Sequence, residues 1–186
     1  TPGSELVLPS VGVNPTRNGV IQILHRMGAD LRMENGREIG GEPVADLHVR
    51  YGPLHAVDLD ADDIALAVDE VPALAVAAAC ARGETRIRGA EELRVKESDR
   101  ISTTVAGLRA LGVSVDEHPD GMTIHGGRLS GGEVHSHGDH RIAMAFAMAG
   151  SAAGGEVRIA DSACIGTSFP GFIQLADEVG MSLHRN

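Results

Sequence analysis

Two short charged segments carry the residues able to do acid–base and anion chemistry. One is Leu93-Arg94-Val95-Lys96-Glu97-Ser98-Asp99-Arg100-Ile101-Ser102, the other Gly138-Asp139-His140-Arg141-Ile142-Ala143-Met144-Ala145. Each sets cations beside a carboxylate or an imidazole at the predicted start of an apolar helix. A helix start attracts anions, because its first backbone N–H groups lack partners and its dipole is positive there. With Lys96, Arg100 and Arg141 added, the two segments become candidate halves of a phosphate or carboxylate pocket. On one helix, Lys96 and Glu97 would each share a face with Arg100, and Ser98 or Asp99 can cap it. Asp139 is a candidate cap that puts His140 and Arg141 in the first turn. Cations there oppose the dipole, a cost that points to use. Asp69-Glu70 heads a third apolar helix, and either acid could accept a proton if it points into the pocket. The plainer alternatives are a solvated, salt-bridged helix start, an ordinary cap with an exposed Arg, and two acids that merely complement a dipole.

Other chemistries find less support. His135-Ser136-His137-Gly138-Asp139-His140 has the composition of a metal cluster, but no Cys pair or HExxH helix accompanies it, and no metal is expected. No GxxxxGK[ST] or strand-linked GxGxxG occurs, so neither a nucleotide loop nor a cofactor is expected. The formal charge of −10 disfavours nucleic-acid binding. No apolar run reaches the length of a membrane span, and Thr1-Pro2-Gly3-Ser4-Glu5 has no signal pattern. Cys80, inside an Ala-rich run, is expected as a small core residue, and Cys164 in a strand-to-turn segment. Two such thiols imply no disulfide framework and suit a reducing, cytoplasmic compartment.

The elements that must position these residues follow from an internal repeat. The 186 residues are enough for one ordinary domain; 42% are hydrophobic and only 2% aromatic, so Ala, Val, Leu, Ile and Met must build the core. Asp69-Glu70-Val71-Pro72-Ala73-Leu74-Ala75 matches Asp139-His140-Arg141-Ile142-Ala143-Met144-Ala145. Each begins an apolar helix that ends in a Gly turn and a strand (Gly83–Ile87, Gly155–Ile159). A second helix then ends in Leu111-Gly112 or Val179-Gly180, and a strand is expected after each. Gly3–Leu8 and Met27-Gly28-Ala29-Asp30-Leu31 fit the same frame, so the chain enters this frame after the place of an Asp-led helix. The expectation is a piece of a longer protein, or a first helix supplied from elsewhere. Helices are predicted near 15–27, 70–82, 98–111, 139–152 and 169–179. Strands are predicted near 4–9, 30–34, 46–51, 84–88, 113–117, 121–125, 156–160 and 181–185. Residues 35–43 read as an exposed turn or hairpin connection, and Gly131-Gly132 and Gly154-Gly155 as turns. The fold class is α/β or α+β, with small sheets packed on buried Ala-rich helices. Equivalent positions in the units, Asp69, Asp139 and Lys96–Arg100, are expected on one shared surface.

At these residues the chain resembles the C-terminal domain of the 5-enolpyruvylshikimate-3-phosphate synthase family of enolpyruvyltransferases. The resemblance runs through Asn14-Pro15-Thr16-Arg17, Met27–Asp30, Asp69–Pro72, Leu93–Arg100, Asp139–Ala143 and Thr167-Ser168-Phe169-Pro170, over essentially the whole chain. It implies tandem βαβαββ units forming one domain of a two-domain, inside-out α/β barrel. It also implies transfer of the enolpyruvyl group of phosphoenolpyruvate to the 5-hydroxyl of shikimate 3-phosphate, a step of aromatic amino-acid biosynthesis. By the same resemblance, Asp69 would hold the shikimate hydroxyls and act as base, and Lys96 would contact the phosphorylated shikimate and share in proton transfer. Glu97 would exchange a proton with C3 of phosphoenolpyruvate, which near neutrality asks for partial burial or neighbouring negative charge. Arg100 and Arg141 would bind phosphoenolpyruvate, with His140 beside them. Thr167 stands where many members carry Lys, as in the branch associated with glyphosate tolerance, and Glu92 where many carry Asn. The partner implied is the family's N-terminal domain, whose motifs are missing here, so the chain alone is expected to lack turnover. A UDP-N-acetylglucosamine enolpyruvyltransferase and a non-catalytic anion-binding domain stand as alternatives.

Overall fold

Apolar helices with acidic starts and glycine stops build the interior of the computed structural model, which describes residues 1–184. In chain order the elements are β1 (Glu5–Gly12), α1 (Gly19–Arg26), β2 (Asp30–Ile39), β3 (Glu42–Arg50), β4 (Asp58–Leu59), α2 (Ala61–Ala65), α3 (Val71–Cys80), β5 (Glu84–Ile87), α4 (Arg100–Ala110), β6 (Ser114–His118), β7 (Gly121–His125), β8 (Gly132–His135), α5 (His140–Gly150), β9 (Val157–Ala160), α6 (Ile165–Ser168) and α7 (Phe172–Glu178). Short 3-10 turns occupy Val68–Glu70, Glu91–Val95 and Ser162–Cys164.

The strands form three small sheets: β1-β3-β2, β4-β5-β7-β6 and β8-β9. The first is antiparallel throughout; β4 runs parallel to β5, and β8 parallel to β9. Between them α3 is buried nearly all round, with Val71, Leu74, Ala75, Ala78 and Ala79 in the core. Its lack of a polar stripe explains this, since a helix apolar on every side has no face to offer water. Its alanines let neighbours approach closely, and α3 packs on both α4 and α5. Phe146 of α5 and Leu108 of α4 complete the main cluster. Each buried Leu, Ile or Phe contributes about 1.5–3 kcal/mol by leaving water.

The predicted α/β architecture holds, and so do the glycine stops. Gly28, Gly112 and Gly180 follow α1, α4 and α7 with φ of +85°, +82° and +84°, the left-handed turn that favours glycine. Several boundaries differ. The helix expected from residue 15 starts at Gly19, because the Asn14 side chain accepts from the Thr16 N–H at 3.1 Å and holds Asn14–Arg17 in a turn. The 35–43 connection is a tighter hairpin than expected: β2 runs to Ile39, past a bulge at Asn35, and only Gly40-Gly41 turn. Asp46 of β3 secures that bulge and the one at Ser10 of β1. The Ser10 N–H, the Asn35 amide and the Arg37 guanidinium all donate to it and pull its pKa down to about 2. Gly132 opens β8 rather than a turn. Residues 181–184 form no strand, and residue 185 of that predicted strand lies outside the described residues. Cys80 is exposed at the end of α3 rather than in the core, and Cys164 lies in a 3-10 turn.

Candidate functional site

The starts of α4 and α5 meet the 3-10 turn before α3, and side chains from all three join there. Asp99 caps α4: its Oδ1 accepts from the Ser102 N–H at 3.0 Å. Asp139 caps α5, accepting from the N–H groups of Arg141 and Ile142 at 2.9 and 3.4 Å. Both caps match the sequence reading. These acids occupy the Ser102, Arg141 and Ile142 N–H groups, which an external anion at the helix starts would otherwise share. Gly138, at φ +75°, directs the chain into the core at Asp139.

Arg100 is the centre of the cluster and is 1% exposed. Its Nε donates to Asp139 Oδ2 at 2.8 Å, its Nη1 to Asp69 Oδ1 at 3.3 Å and its Nη2 to Glu97 Oε2 at 2.5 Å. Ser98 Oγ adds a donor to Asp139 Oδ2 at 3.1 Å. Burial alone would push the Asp139 carboxyl up. The Arg100 bond and charge, with the two backbone donors, outweigh it and hold the group below its usual range. A guanidinium whose every nitrogen meets a carboxylate is fixed in orientation as well as charge.

Arg141 reaches the same place from α5. Its Nη2 lies 3.0 Å from Asp69 Oδ2, and its Nη1 donates to the Asp69 carbonyl at 3.2 Å and lies 3.9 Å from Glu70 Oε1. Asp69 thus bridges two guanidiniums. Both acids before α3 face the cationic group, Asp69 closely and Glu70 at the edge of Arg141.

Lys96 departs from the expectation. It lies before α4 in extended backbone, so the spacing that would align it with Arg100 on a helix does not apply. Its ammonium pairs with Glu92 instead, and among the described residues no hydrogen bond or ion pair of its side chain joins it to the Arg100 cluster. Glu97 pairs with Arg100 as expected, although it too lies before α4 and so not through shared helical spacing; its side chain is 53% exposed rather than partly buried. His140 is half-buried beside the cap, with no hydrogen bond among the described residues. Thr167 donates to the Cys164 carbonyl at 2.7 Å. The repeat predicted Asp69, Asp139 and Arg100 on one shared surface, and they meet there; the direct Arg100–Asp139 pair is what sequence reading did not specify.

Three small sheets thus surround buried helices whose starts gather carboxylates and guanidiniums. The enolpyruvyl transferase NikO from Streptomyces tendae shows the fold, with a TM-score of 0.76 at 19% identity over 99% of this chain and 40% of that one. The sequence profile of EPSP synthase (3-phosphoshikimate 1-carboxyvinyltransferase) matches residues 1–175, and the chain belongs to that family. A solved EPSP synthase from Acinetobacter baumannii superposes with a TM-score of 0.93 at 48% identity, covering 97% of this chain and 42% of that one. The 3-phosphoshikimate 1-carboxyvinyltransferase of Acidithiobacillus ferrooxidans (strain ATCC 53993 / BNL-5-31) is 58% identical over 98% of this chain and 42% of its own length. That of Xanthomonas axonopodis pv. citri (strain 306) is 57% identical over 98% of this chain and 41% of its own. The chain therefore spans about two fifths of the length of the curated relatives it matches.

Proposed function

We propose that this chain is the C-terminal domain of a two-domain transferase and supplies half of its active site. The enzyme moves the enolpyruvyl group of phosphoenolpyruvate to the 5-hydroxyl of shikimate 3-phosphate and releases phosphate, in the shikimate pathway of the cytoplasm. The observation that carries this reading is the Asp69 carboxylate held between the Arg100 and Arg141 guanidiniums, with Glu97 on the same Arg100. It sets a candidate base and a candidate acid beside two cations suited to a carboxylate or phosphate. The free cysteines suit a reducing compartment.

In this reading Asp69 orients the shikimate hydroxyls and takes the proton of the 5-hydroxyl as its oxygen adds to C2 of phosphoenolpyruvate. Protonated Glu97 gives its proton to C3 in the same addition. The tetrahedral intermediate then breaks its C2–O bond to phosphate, which leaves with the proton held by Asp69; C3 returns a proton to Glu97, and the enol ether remains. Arg100 and Arg141 take up phosphoenolpyruvate, His140 flanks them, and Lys96 leaves Glu92 for the phosphorylated shikimate. Two multiply charged anions must meet, so fixed cations have to offset their repulsion.

The test is reconstitution. The chain is mixed with the complementary portion of a relative, and phosphate release is measured with phosphoenolpyruvate and either shikimate 3-phosphate or UDP-N-acetylglucosamine. The expected result is release with shikimate 3-phosphate in the mixture and negligible release from the chain alone. Turnover with only the sugar nucleotide, or undiminished turnover by the chain alone, overturns the reading.

A further inference from the structure

We propose that Arg94 is a positioning residue for the loop that carries Lys96 and Glu97, clamping it to the turn between β6 and β7. The inference rests on the transferase reading above. Residues 96–99 lie between the 3-10 turn Glu91–Val95 and α4. This loop has little apolar anchorage of its own, since Val95 is 81% exposed. Glu97 pairs with Arg100 and Ser98 donates to Asp139 on one side, and on the other the loop is anchored by the hairpin. At the entry, Asp120 accepts from the Gly89 N–H at 3.0 Å through its carboxylate, and from the Ala90 N–H at 2.7 Å through its carbonyl.

Arg94 holds the exit. Its Nε donates to the Pro119 carbonyl at 2.7 Å. Its Nη2 donates to the His118 carbonyl at 2.7 Å and to Glu117 Oε1 at 3.1 Å. Its Nη1 donates to Asp99 Oδ2 at 2.8 Å and to Ser102 Oγ at 3.1 Å. One planar guanidinium therefore joins the end of β6 and its turn to the capping residue of α4, and the span that holds Lys96, Glu97 and Ser98 is pinned at both ends. Ser102 closes the network by donating to Glu117 at 2.7 Å. Burial works against the Asp99 carboxylate, but the Ser102 N–H, Arg94 and the Ser102 hydroxyl outweigh it, so the clamp stays ionised.

Among the described residues, no hydrogen bond or ion pair of Arg94 reaches Asp69, Arg100 or Arg141, which belong to a separate network. Loss of the clamp leaves Glu97 tethered by Arg100 alone and is therefore expected to shift it, while Arg100 and Arg141 keep their bonds to Asp139 and Asp69. A displacement near 1 Å in a reacting group can cost about a hundredfold in rate. A residue that only stabilised the fold would change the melting temperature and leave the proton-transfer step alone.

The test uses the complete two-domain enzyme carrying this sequence, with Arg94→Met, Arg94→Lys and Glu117→Gln. Steady-state constants for both substrates, the solvent deuterium isotope effect on kcat and Tm are measured. Arg94→Met is expected to lower kcat at least about tenfold, keep KM for phosphoenolpyruvate within about twofold, and enlarge the isotope effect. Arg94→Lys should fall close to it, because an ammonium cannot reproduce the planar fork. Glu117→Gln, which keeps both carbonyl acceptors, should lower kcat by about two- to threefold. A folded Arg94 variant with unchanged kcat and isotope effect, or with only KM raised, overturns the proposal. If Arg94→Met does not fold, Arg94→Lys and Glu117→Gln decide by the same criteria. An active parent enzyme with unaffected variants sinks this inference alone; an inactive parent sinks the transferase reading with it.

Discussion

Asp139 divides its two oxygens between two helices. Oδ1 caps α5, and Oδ2 holds Arg100 and Ser98 of the neighbouring segment. Its folded pKa is depressed, so it favours the native state above its unfolded value near 3.9 and loses that effect as the pH falls below it. Asp139→Asn keeps an oxygen for the cap but strands a buried guanidinium without its fully buried partner. Urea denaturation at neutral pH should show a loss of about 3–5 kcal/mol. The same titration repeated down to about pH 2 should show a shallower fall in stability than the parent chain; an equal slope counts against this role. Asp69 differs, being 40% exposed. Asp69→Asn should change stability by less than about 1 kcal/mol, while turnover of the reconstituted enzyme drops by about 100-fold or more, the range of a general base. At this scale the sequence disclosed the caps, because local spacing decides them; the Glu97–Arg100 pair forms as well, but from a residue that lies outside α4. The sequence did not disclose that Arg100 faces Asp139 or that Lys96 turns to Glu92, because the first depends on tertiary packing and the second on where α4 begins.

α4 and α5 must cross closely for their starts to share Asp69, and Gly107 permits it. A Cβ there would collide with the Phe146 ring, which is fully buried. Gly107→Ala should cost about 1–3 kcal/mol through overpacking, despite the better helix propensity of alanine. Calorimetry should register this as a fall in Tm of about 2–4 °C per kcal/mol, and an unchanged Tm would show that the helices have room to separate. The long helices were legible because Asp starts, apolar runs and Gly stops agree. The short strands β5, β6, β7 and β9 were legible as well, but α2, β4 and β8 were not. α2 is five residues held by the reciprocal Asp60–Asp63 cap, and β4 is two residues that exist only by pairing with β5. β8 opens on a glycine and owes its strand geometry to β9, more than twenty residues away in sequence. Such elements are created by their partners rather than by their own periodicity.

Over the whole molecule, charge bears on what this domain does by itself. The cluster at the helix starts brings two guanidiniums, Arg100 and Arg141, against four carboxylates, Asp69, Glu70, Glu97 and Asp139. Lys96 is matched by Glu92, and the chain carries −10 overall. An incoming anion must therefore displace protein carboxylates from their cations within a repulsive background. The cations expected to form an anion pocket are satisfied internally, so strong anion binding is expected to need further cations from the proposed partner domain. Calorimetric titration of the chain with phosphoenolpyruvate should give a Kd weaker than about 1 mM. Adding the complementary portion of a relative together with shikimate 3-phosphate should tighten it, and the gain should shrink as salt rises from about 0.05 to 0.5 M, because fixed cations across a cleft are screened. Micromolar binding by the chain alone would mean that its own guanidiniums release their carboxylates readily, and would remove the electrostatic reason for a second domain.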